Sequence, residues 1–251
     1  MAREIAMALP HDKSHTDRAY EGDLQTLREQ LLLMAGRVEQ MIADAERALE
    51  ERDTELARRT IRCDHKVNRA EIDIDEHCLV ILAKRQPMAT DLRLVTAALK
   101  MVTDLERIGD LAVNICERVL DLHPLPPLTP YPALGQMTST VQSMIRDAID
   151  AFVNLDCELA EQVVQRDDEV DELYHQVFRE VLGAMIRDPS LLERGIHLQS
   201  VAKFVERMGD HSTNLAEHVI YLGRARDVRH HGKLDSEHPP SEKGEGDDEQ
   251  A

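Results

Sequence analysis

Residues 105–110 read LERIGD, and residues 205–210 read VERMGD. Both copies continue at the same spacing to an asparagine and a glutamate, which are Asn114 and Glu117 in the first copy and Asn214 and Glu217 in the second. A repeat of this length is typical of a duplicated structural unit. The sequence therefore predicts two similar halves, each with one acidic segment.

The polar residues of each copy are spaced for one face of a helix. Successive residues lie four, four and three positions apart, which stacks their side chains along one side of the helix. Like charges four residues apart destabilise an isolated helix by about 0.2–0.5 kcal/mol per pair. Such a stripe is stabilised when a cation binds to it.

Oxygen-bearing side chains indicate which cations would bind. Carboxylates and amide carbonyls, without a Cys or His cluster, suit Mg²⁺, Mn²⁺, Ca²⁺ or iron better than zinc or copper. A single acidic helix face is usually only solvated, but two copies in register favour a shared ligand role. We therefore predict that the chain binds metal ions (iron, Mn, Mg or Zn), whose identity the sequence leaves open. The predicted ligands are Glu106, Asp110, Asn114, Glu117, Glu206, Asp210, Asn214 and Glu217.

The helix before each motif offers additional ligands. Asp64 and Asn68 of the first half match Asp167 and Asp171 of the second. A site on one helix needs further ligands from a facing helix or from water, so we expect these four residues to be additional metal ligands. The match is partial, because the later acidic positions of the first half, Glu71 and Asp75, correspond to Tyr174 and Phe178.

Composition predicts an all-α protein of the cytoplasm. Aromatic residues make up 3 % of the chain and Trp is absent, while helix-forming residues dominate. The four cysteines have no Cys-x-x-Cys spacing and predict no disulfide. No apolar run approaches the roughly 18 residues of a membrane span. The net charge of −18 argues against binding to nucleic acid or to an anionic membrane.

Proline-rich breaks divide the chain. Residues 123–132 form a linker rich in proline, residues 1–20 are expected to be loose, and the acidic tail 227–251 is expected to be disordered. The first half, 21–122, is predicted to hold three helices at about 22–50, 53–85 and 89–121. The second half, 133–226, is predicted to hold three more at about 133–155, 157–187 and 190–225.

With these motifs the chain resembles the PhoU family of phosphate-uptake regulators. Residues 105–117 and 206–217 look like the paired signature of the family, and the segment around Arg85-Gln86-Pro87 resembles its entry into the first motif. The resemblance implies two tandem three-helix bundles related by a pseudo-twofold axis. It also implies metal ions at both Glu-x-x-x-Asp motifs, led by Glu106, Asp110, Glu206 and Asp210.

The resemblance further implies a role as a negative regulator of the phosphate-starvation (Pho) response. Members of the family are thought to couple the ATPase subunit of the Pst phosphate transporter to the PhoR sensor histidine kinase. We therefore expect a non-catalytic signalling adaptor, often a homodimer. We expect it in the cytoplasm, recruited to the inner membrane only through its partners.

Two alternatives stay open. A carboxylate-bridged iron-binding bundle, either an enzyme or a store, would use Glu-x-x-His pairs, of which Glu172 and His175 supply one. A metal-free helical adaptor would use the acidic stripes to bind basic residues of a partner. No nucleophile with an attendant base and no phosphate-binding Gly loop is recognisable, so no catalysis is predicted.

The two copies also differ from each other. Asp104 precedes the first motif where Phe204 precedes the second, and Leu111 follows Asp110 where His211 follows Asp210. The two sites are therefore not expected to be equivalent. The arginine inside each motif points about 100° away from the neighbouring glutamate, which predicts a partner surface or an inter-helix salt bridge for it.

Overall fold

The computed structural model of the protein describes residues 15–127 and 131–224, and within these ranges it contains helices and no strand. The first half contains α1 (His15–Glu51), α2 (Thr54–Cys63), α3 (His65–Arg85) and α4 (Ala89–Leu122). The second half contains α5 (Pro132–Asn154), α6 (Cys157–Gln165), α7 (Asp167–Arg187) and α8 (Leu192–Arg224), with a 3₁₀ turn at Pro189–Leu191. The prediction of an all-α fold is confirmed.

The second predicted helix of each half is interrupted. The prediction of single helices at about 53–85 and 157–187 was wrong in this detail, since α2 ends at Cys63 and α6 at Gln165. At the first break the backbone N–H of Asp64 donates to Ile61 O, three residues back, instead of four. The N–H of Arg166 bonds to Val163 O in the same way. One tighter turn thus separates each helix pair.

Helix α1 begins earlier than the sequence suggests. It starts at His15, within the segment 1–20 that was expected to be loose. Two contacts anchor its first turns: Tyr20 Oη donates to Asp91 Oδ2 at 2.8 Å, and Arg85 Nη2 lies 2.9 Å from Asp23 Oδ2. The expectations for residues 1–14 and for the tail 227–251 lie outside the described residues.

Matched turns connect the long and short helices of each half. Asp53 and Asp156 cap α2 and α6, each accepting two backbone N–H groups through Oδ1. The residues just before them, Arg52 and Leu155, have positive φ angles of 57° and 51°. The same caps and left-handed residues at matching positions show that the duplication extends to the turns.

Helices α4 and α8 form the centre of the molecule. They run antiparallel, since Asp104 of α4 contacts His211 and His218 of α8, while Asp121 at the end of α4 faces His197 near the start of α8. Helices α1 and α5 also pack antiparallel, with Glu46 beside Gln142 and Glu39 beside Arg146. The core is continuous across both halves. The predicted arrangement of two tandem bundles about a pseudo-twofold axis is confirmed.

The described helices carry no membrane span: none between residues 15–127 and 131–224 combines the length and the apolar character that crossing a bilayer requires.

Candidate metal centres

A neighbouring helix lies close to the acidic stripe at each motif glycine. A Cβ atom on Gly109 would lie 3.4 Å from Val67 Cγ1 of α3, and one on Gly209 would lie 3.2 Å from Val170 Cγ1 of α7. The missing side chain of Gly209 thus lets α7 lie closer to α8 than an alanine would allow, whereas an alanine at 109 would make an ordinary contact with α3. This packing places acidic side chains of α3 and α7 beside those of the motifs.

A first acidic cluster results between α3 and α4. Burial raises the pKa of Asp64, Glu71 and Glu106, and neighbouring carboxylates raise it further: Asp110 acts on all three, and Asp75 acts on Glu71. These shifts mean that the carboxylates repel one another in a partly dehydrated place. The cluster consists of Asp64, Asn68, Glu71, Asp75, Glu106 and Asp110.

Some oxygens of this cluster have no hydrogen-bond partner. Asn68 Nδ2 donates to Asp64 Oδ2 at 2.8 Å, which leaves Asp64 Oδ1 and Asn68 Oδ1 buried and unpaired. Glu106 Oε2 is also buried without a hydrogen bond, although Arg107 Nε lies 3.5 Å away. Each unsatisfied buried polar atom costs about 1–3 kcal/mol. A cation would satisfy those oxygens that side-chain rotation brings to it.

The arginine of the first motif forms its ion pairs with carboxylates of its own helix. Arg107 lies near Glu106 Oε2 and places Nη1 3.4 Å from Asp110 Oδ2, both on its own helix. Neither ion pair joins two helices, although the charge of Arg107 also acts on Glu71 of α3. The expectation of a partner surface for Arg107 stays a prediction. The long, half-exposed side chain curls back along α4, and at these distances it neutralises the cluster only in part.

A second acidic cluster lies between α7 and α8. It consists of Asp167, Asp168, Asp171, Glu206 and Asp210. Burial, then the charges of Asp210 and Asp171, raise the pKa of Asp167 to about 6. The pKa of Asp210 is also raised, by burial and by Glu206. The second half thus repeats the crowding of carboxylates seen in the first.

The two clusters differ in the basic side chains that lie beside them. Lys203 Nζ lies 2.6 Å and 2.5 Å from the two carboxylate oxygens of Glu206, and 5.3 Å from the centre of the Tyr174 ring. Thr103 occupies the position of Lys203 in the first half, and Glu71 the position of Tyr174. The second cluster therefore contains a lysine where the first has a threonine, and Arg107 is the cation beside the first cluster. The two clusters thus differ in which cation lies beside them.

Comparison with known proteins assigns the family. Residues 31–119 and 134–219 match the family model of the PhoU domain. The chain belongs to the PhoU family. It is 40 % identical over 219 residues to the phosphate-specific transport system accessory protein PhoU homolog of Pseudomonas aeruginosa, covering 87 % of this chain and 90 % of that protein. The Escherichia coli K12 accessory protein PhoU is 36 % identical over 221 residues, with coverages of 87 % and 90 %.

Solved PhoU structures share the fold. The crystal structure of PhoU from Pseudomonas aeruginosa matches with a TM-score of 0.80 at 39 % identity, over 82 % of this chain and all of that one. The phosphate transport system regulatory protein PhoU from Streptococcus pneumoniae matches with a TM-score of 0.77 at 28 % identity, over 83 % and 99 %. The resemblance drawn from the paired motifs is confirmed.

In this PhoU-family chain the predicted ligands separate into two groups. Glu106 and Asp110 join Asp64 and Asn68, and Glu206 and Asp210 join Asp167 and Asp171. The remaining four predicted ligands do not meet in these clusters. Asn214 Nδ2 donates to Asp104 Oδ1 of α4 at 3.2 Å. Glu117 is half exposed and lies 3.7 Å from Arg118, while Asn114 and Glu217 are half-buried further along their helices.

The donor set suits a hard cation, but the site is not preassembled. The cluster residues supply carboxylate and amide oxygens only, which suits Mg²⁺, Mn²⁺ or iron. Among residues 15–127 and 131–224 no three Asp, Glu, His or Cys side chains already stand in ligating positions. Binding would therefore require side-chain rotation, water ligands, or both. The alternative iron pair, Glu172 and His175, is exposed on α7.

A polar cluster not predicted from the sequence links the two halves. Asp104 accepts from His211 Nδ1 at 2.9 Å, from Asn214 Nδ2 at 3.2 Å and from His218 Nε2 at 3.2 Å. Burial alone would raise the pKa of Asp104, but hydrogen bonds from His211 and His218 hold it below its usual range. The substitutions at 104 and 211 that distinguish the motif copies turn out to be partners in this contact.

Proposed function

We propose that this protein regulates phosphate uptake as an accessory protein of a phosphate-specific transport system. The observation that carries the proposal is membership of the PhoU family over nearly the whole described chain, with relatives named as accessory proteins of that system. The proposed role is a binding role without catalysis. It fits a helical scaffold that presents two different acidic faces.

In detail, the protein would restrain the phosphate-starvation response. It would couple the ATPase subunit of a Pst transporter to a PhoR-type sensor histidine kinase, working in the cytoplasm and reaching the inner membrane through these partners. A homodimer is the expected assembly, and nucleic acid is not an expected partner. The absence of a spanning helix among the described residues is compatible with this role.

The proposal includes a metal ion at each acidic cluster. Asp64, Asn68, Glu106 and Asp110 would hold it in the first half, and Asp167, Asp171, Glu206 and Asp210 in the second. The cation would neutralise the carboxylates and fix α3 against α4 and α7 against α8. The buried, unpaired oxygens of Asp64, Asn68 and Glu106 support this part of the proposal.

Elemental analysis tests the metal sites. Protein purified without an affinity tag or chelator would be compared with a Glu106→Gln, Asp110→Asn, Glu206→Gln, Asp210→Asn variant whose fold is checked by circular dichroism. A variant changing Glu117 and Glu217 to Gln serves as the control. We expect stoichiometric metal in the native and control proteins and none in the fourfold variant. Equally empty proteins after incubation with Mn²⁺ or Fe²⁺ would reject the metal sites.

That negative result would favour the metal-free adaptor, in which the acidic clusters bind basic residues of a partner. Chelation separates the two alternatives independently. Removing metal should lower the melting temperature of a metal protein and leave that of an adaptor unchanged.

Complementation tests the regulatory role. A bacterial host lacking its own PhoU, with a reporter under a phosphate-repressed promoter, should regain repression in high phosphate when it expresses this chain. Repression that does not return, although the protein accumulates in folded form, would reject the proposed regulation.

A further inference from the structure

A basic groove lies on the outer side of the first half, between α1 and the α2–α3 pair. It has a volume of about 880 Å³ and an apolar floor that includes Leu32, Met41 and Leu56. Its rim carries four basic side chains and one carboxylate, namely Arg37, Arg47, Arg59, Lys66 and Asp44. On a chain with a net charge of −18, such a concentration of positive charge is unusual.

The matching positions of the second half show whether the fold itself requires the basic residues of this groove. The valines that contact the motif glycines, Val67 and Val170, align the halves at a separation of 103 residues. At the same separation the four cations correspond to Thr140, Asp150, Gln162 and Glu169. The duplicated fold is therefore built in the second half without these positive charges. They are a property of the groove, and the fold does not require them.

The rim charges are only partly neutralised by their neighbours. Asp44 Oδ1 lies 2.9 Å from Arg47 Nη2, and it also accepts from Gln40. Arg37 donates to the backbone oxygen of Lys66 at 3.2 Å, which neutralises no charge. The charges of Arg47 and Arg59 also act on the carboxylate of Asp53. Two carboxylates thus face four cations. The groove has an excess of positive charge above an apolar floor, which suits an acidic peptide segment.

We propose that the acidic C-terminal segment of this same chain, residues 235–249, binds in the basic groove. This segment contains seven carboxylates and a single lysine. It is opposite in sign to the groove and covalently attached to it. Its charges would otherwise add to the repulsion within an already acidic protein.

The chain is long enough to reach the groove. Helix α8 ends at Arg224, where Gly223 packs against Cys157 of α6. Helix α6 follows α5, and α5 packs against α1, which forms one wall of the groove. Two helix spacings of about 8–10 Å each, plus the width of the groove, give a separation of roughly 20–30 Å. Residues 225–251 number 27. A random coil of that length would have an end-to-end distance of about 26–31 Å.

Cross-linking in the full-length chain tests the contact. Cys63 lines the groove, and Cys157 lies beside the end of α8, where a freely moving tail would meet it first. Both are partly exposed, whereas Cys78 and Cys116 are buried. A Ser241→Cys variant treated with a short bis-maleimide should link position 241 mainly to Cys63. Predominant linkage to Cys157 would overturn the proposal.

Charge reversal provides the matched comparison. Adding Arg47→Glu and Arg59→Glu to the Ser241→Cys chain should move at least four-fifths of the links from Cys63 to Cys157. Adding Arg179→Glu and Arg187→Glu, which change the net charge equally but lie exposed on α7, should leave the linkage at Cys63. Equal effects of the two pairs would show that only overall charge matters and would overturn the proposal.

Two further measurements distinguish the source and the nature of the contact. In a mixture of ¹⁵N-labelled and unlabelled protein, links of mixed mass would assign the segment to a second copy and overturn the intramolecular contact. Raising NaCl to about 0.5 M, where the Debye length is roughly 4 Å, should shift the links toward Cys157. Linkage to Cys63 that does not respond to salt would contradict an electrostatic contact.

Discussion

Replacing Asp167 by Asn should stabilise the metal-free protein at neutral pH. In the folded protein, burial and the charges of Asp210 and Asp171 raise the pKa of Asp167 from 3.8 to about 6. A carboxyl group with a raised pKa binds its proton more tightly when folded than when unfolded. Ionisation of Asp167 therefore opposes folding, and this cost develops as the pH rises from about 4 to about 6.

The size of the effect follows from the shift. A shift of about two pKa units corresponds to about 3 kcal/mol at full ionisation. Because Asp167 is only partly buried, screening by solvent should reduce this to about 1.5 kcal/mol. At pH 5 the carboxyl is largely protonated in the folded state, so the gain should fall to about half of its value at pH 7.5. Asparagine keeps the shape of the side chain and removes the charge.

Urea denaturation after dialysis against EDTA measures the effect. The unfolding free energies of wild type, Asp167→Asn and Asp168→Asn would be compared at pH 7.5 and pH 5. Asp168 is the exposed neighbour of Asp167, so its replacement should change stability by less than about 0.5 kcal/mol. With Mn²⁺ present the order should reverse, because Asp167→Asn also removes a proposed ligand. An Asp167→Asn variant that is no more stable than wild type at pH 7.5, or a gain that is the same at both pH values, would show that the charge of Asp167 does not oppose folding.

Three further predictions concern stability. Gly109→Ala should stabilise the protein by up to about 1 kcal/mol, because alanine has the higher helix propensity. Gly209→Ala should stabilise it less or destabilise it, because the new Cβ would lie 3.2 Å from a valine methyl; thermal unfolding of both variants measures the difference. Leu155→Gly should stabilise the protein by about 1 kcal/mol, because glycine adopts a positive φ without strain. Arg52→Gly should destabilise it, because the Arg52 side chain donates to three backbone carbonyls, so the urea midpoints of the two variants should move in opposite directions. In the same assay, Asp104→Ala should lower the free energy of unfolding by roughly 3 kcal/mol. Because the folded protein lowers the pKa of Asp104, the ionised carboxylate stabilises wild type, and this stabilisation should be lost as the pH falls below the usual pKa range of an aspartate and through the lowered pKa.

Much of the architecture follows from local sequence. The repeated motif at 105–117 and 205–217, the helical periodicity and the proline breaks together predict helix number, duplication and family. These features are local because helix formation depends on residues within a few positions of one another. The interruptions at Asp64 and Arg166 were missed, since neither proline nor glycine marks them and only a few backbone hydrogen bonds at each break change register.

Sequence spacing and helix packing together determine which residues belong to the acidic clusters. A spacing of four residues predicts from the sequence alone that Glu106 and Asp110 lie together. The partial repeat predicts Asp64 and Asp167, on the preceding helices, as additional ligands. Which residues of the stripe face that helix could not be read from spacing, because a helix face is broad and its neighbours are set by packing. Glu117 is half exposed outside the first cluster for this reason.

The repeated motifs and the helical periodicity are enough to identify a duplicated, all-helical member of a known family with two acidic motifs. Which side chains meet depends on how the helices pack. Asp104 and His211 stand 107 positions apart, and no local pattern relates them. Antiparallel packing of α4 on α8 brings them into one hydrogen-bonded cluster and directs Asn214 to Asp104. Local propensity fixes helices, whereas the partners of a side chain are fixed by the way those helices bury their apolar faces together.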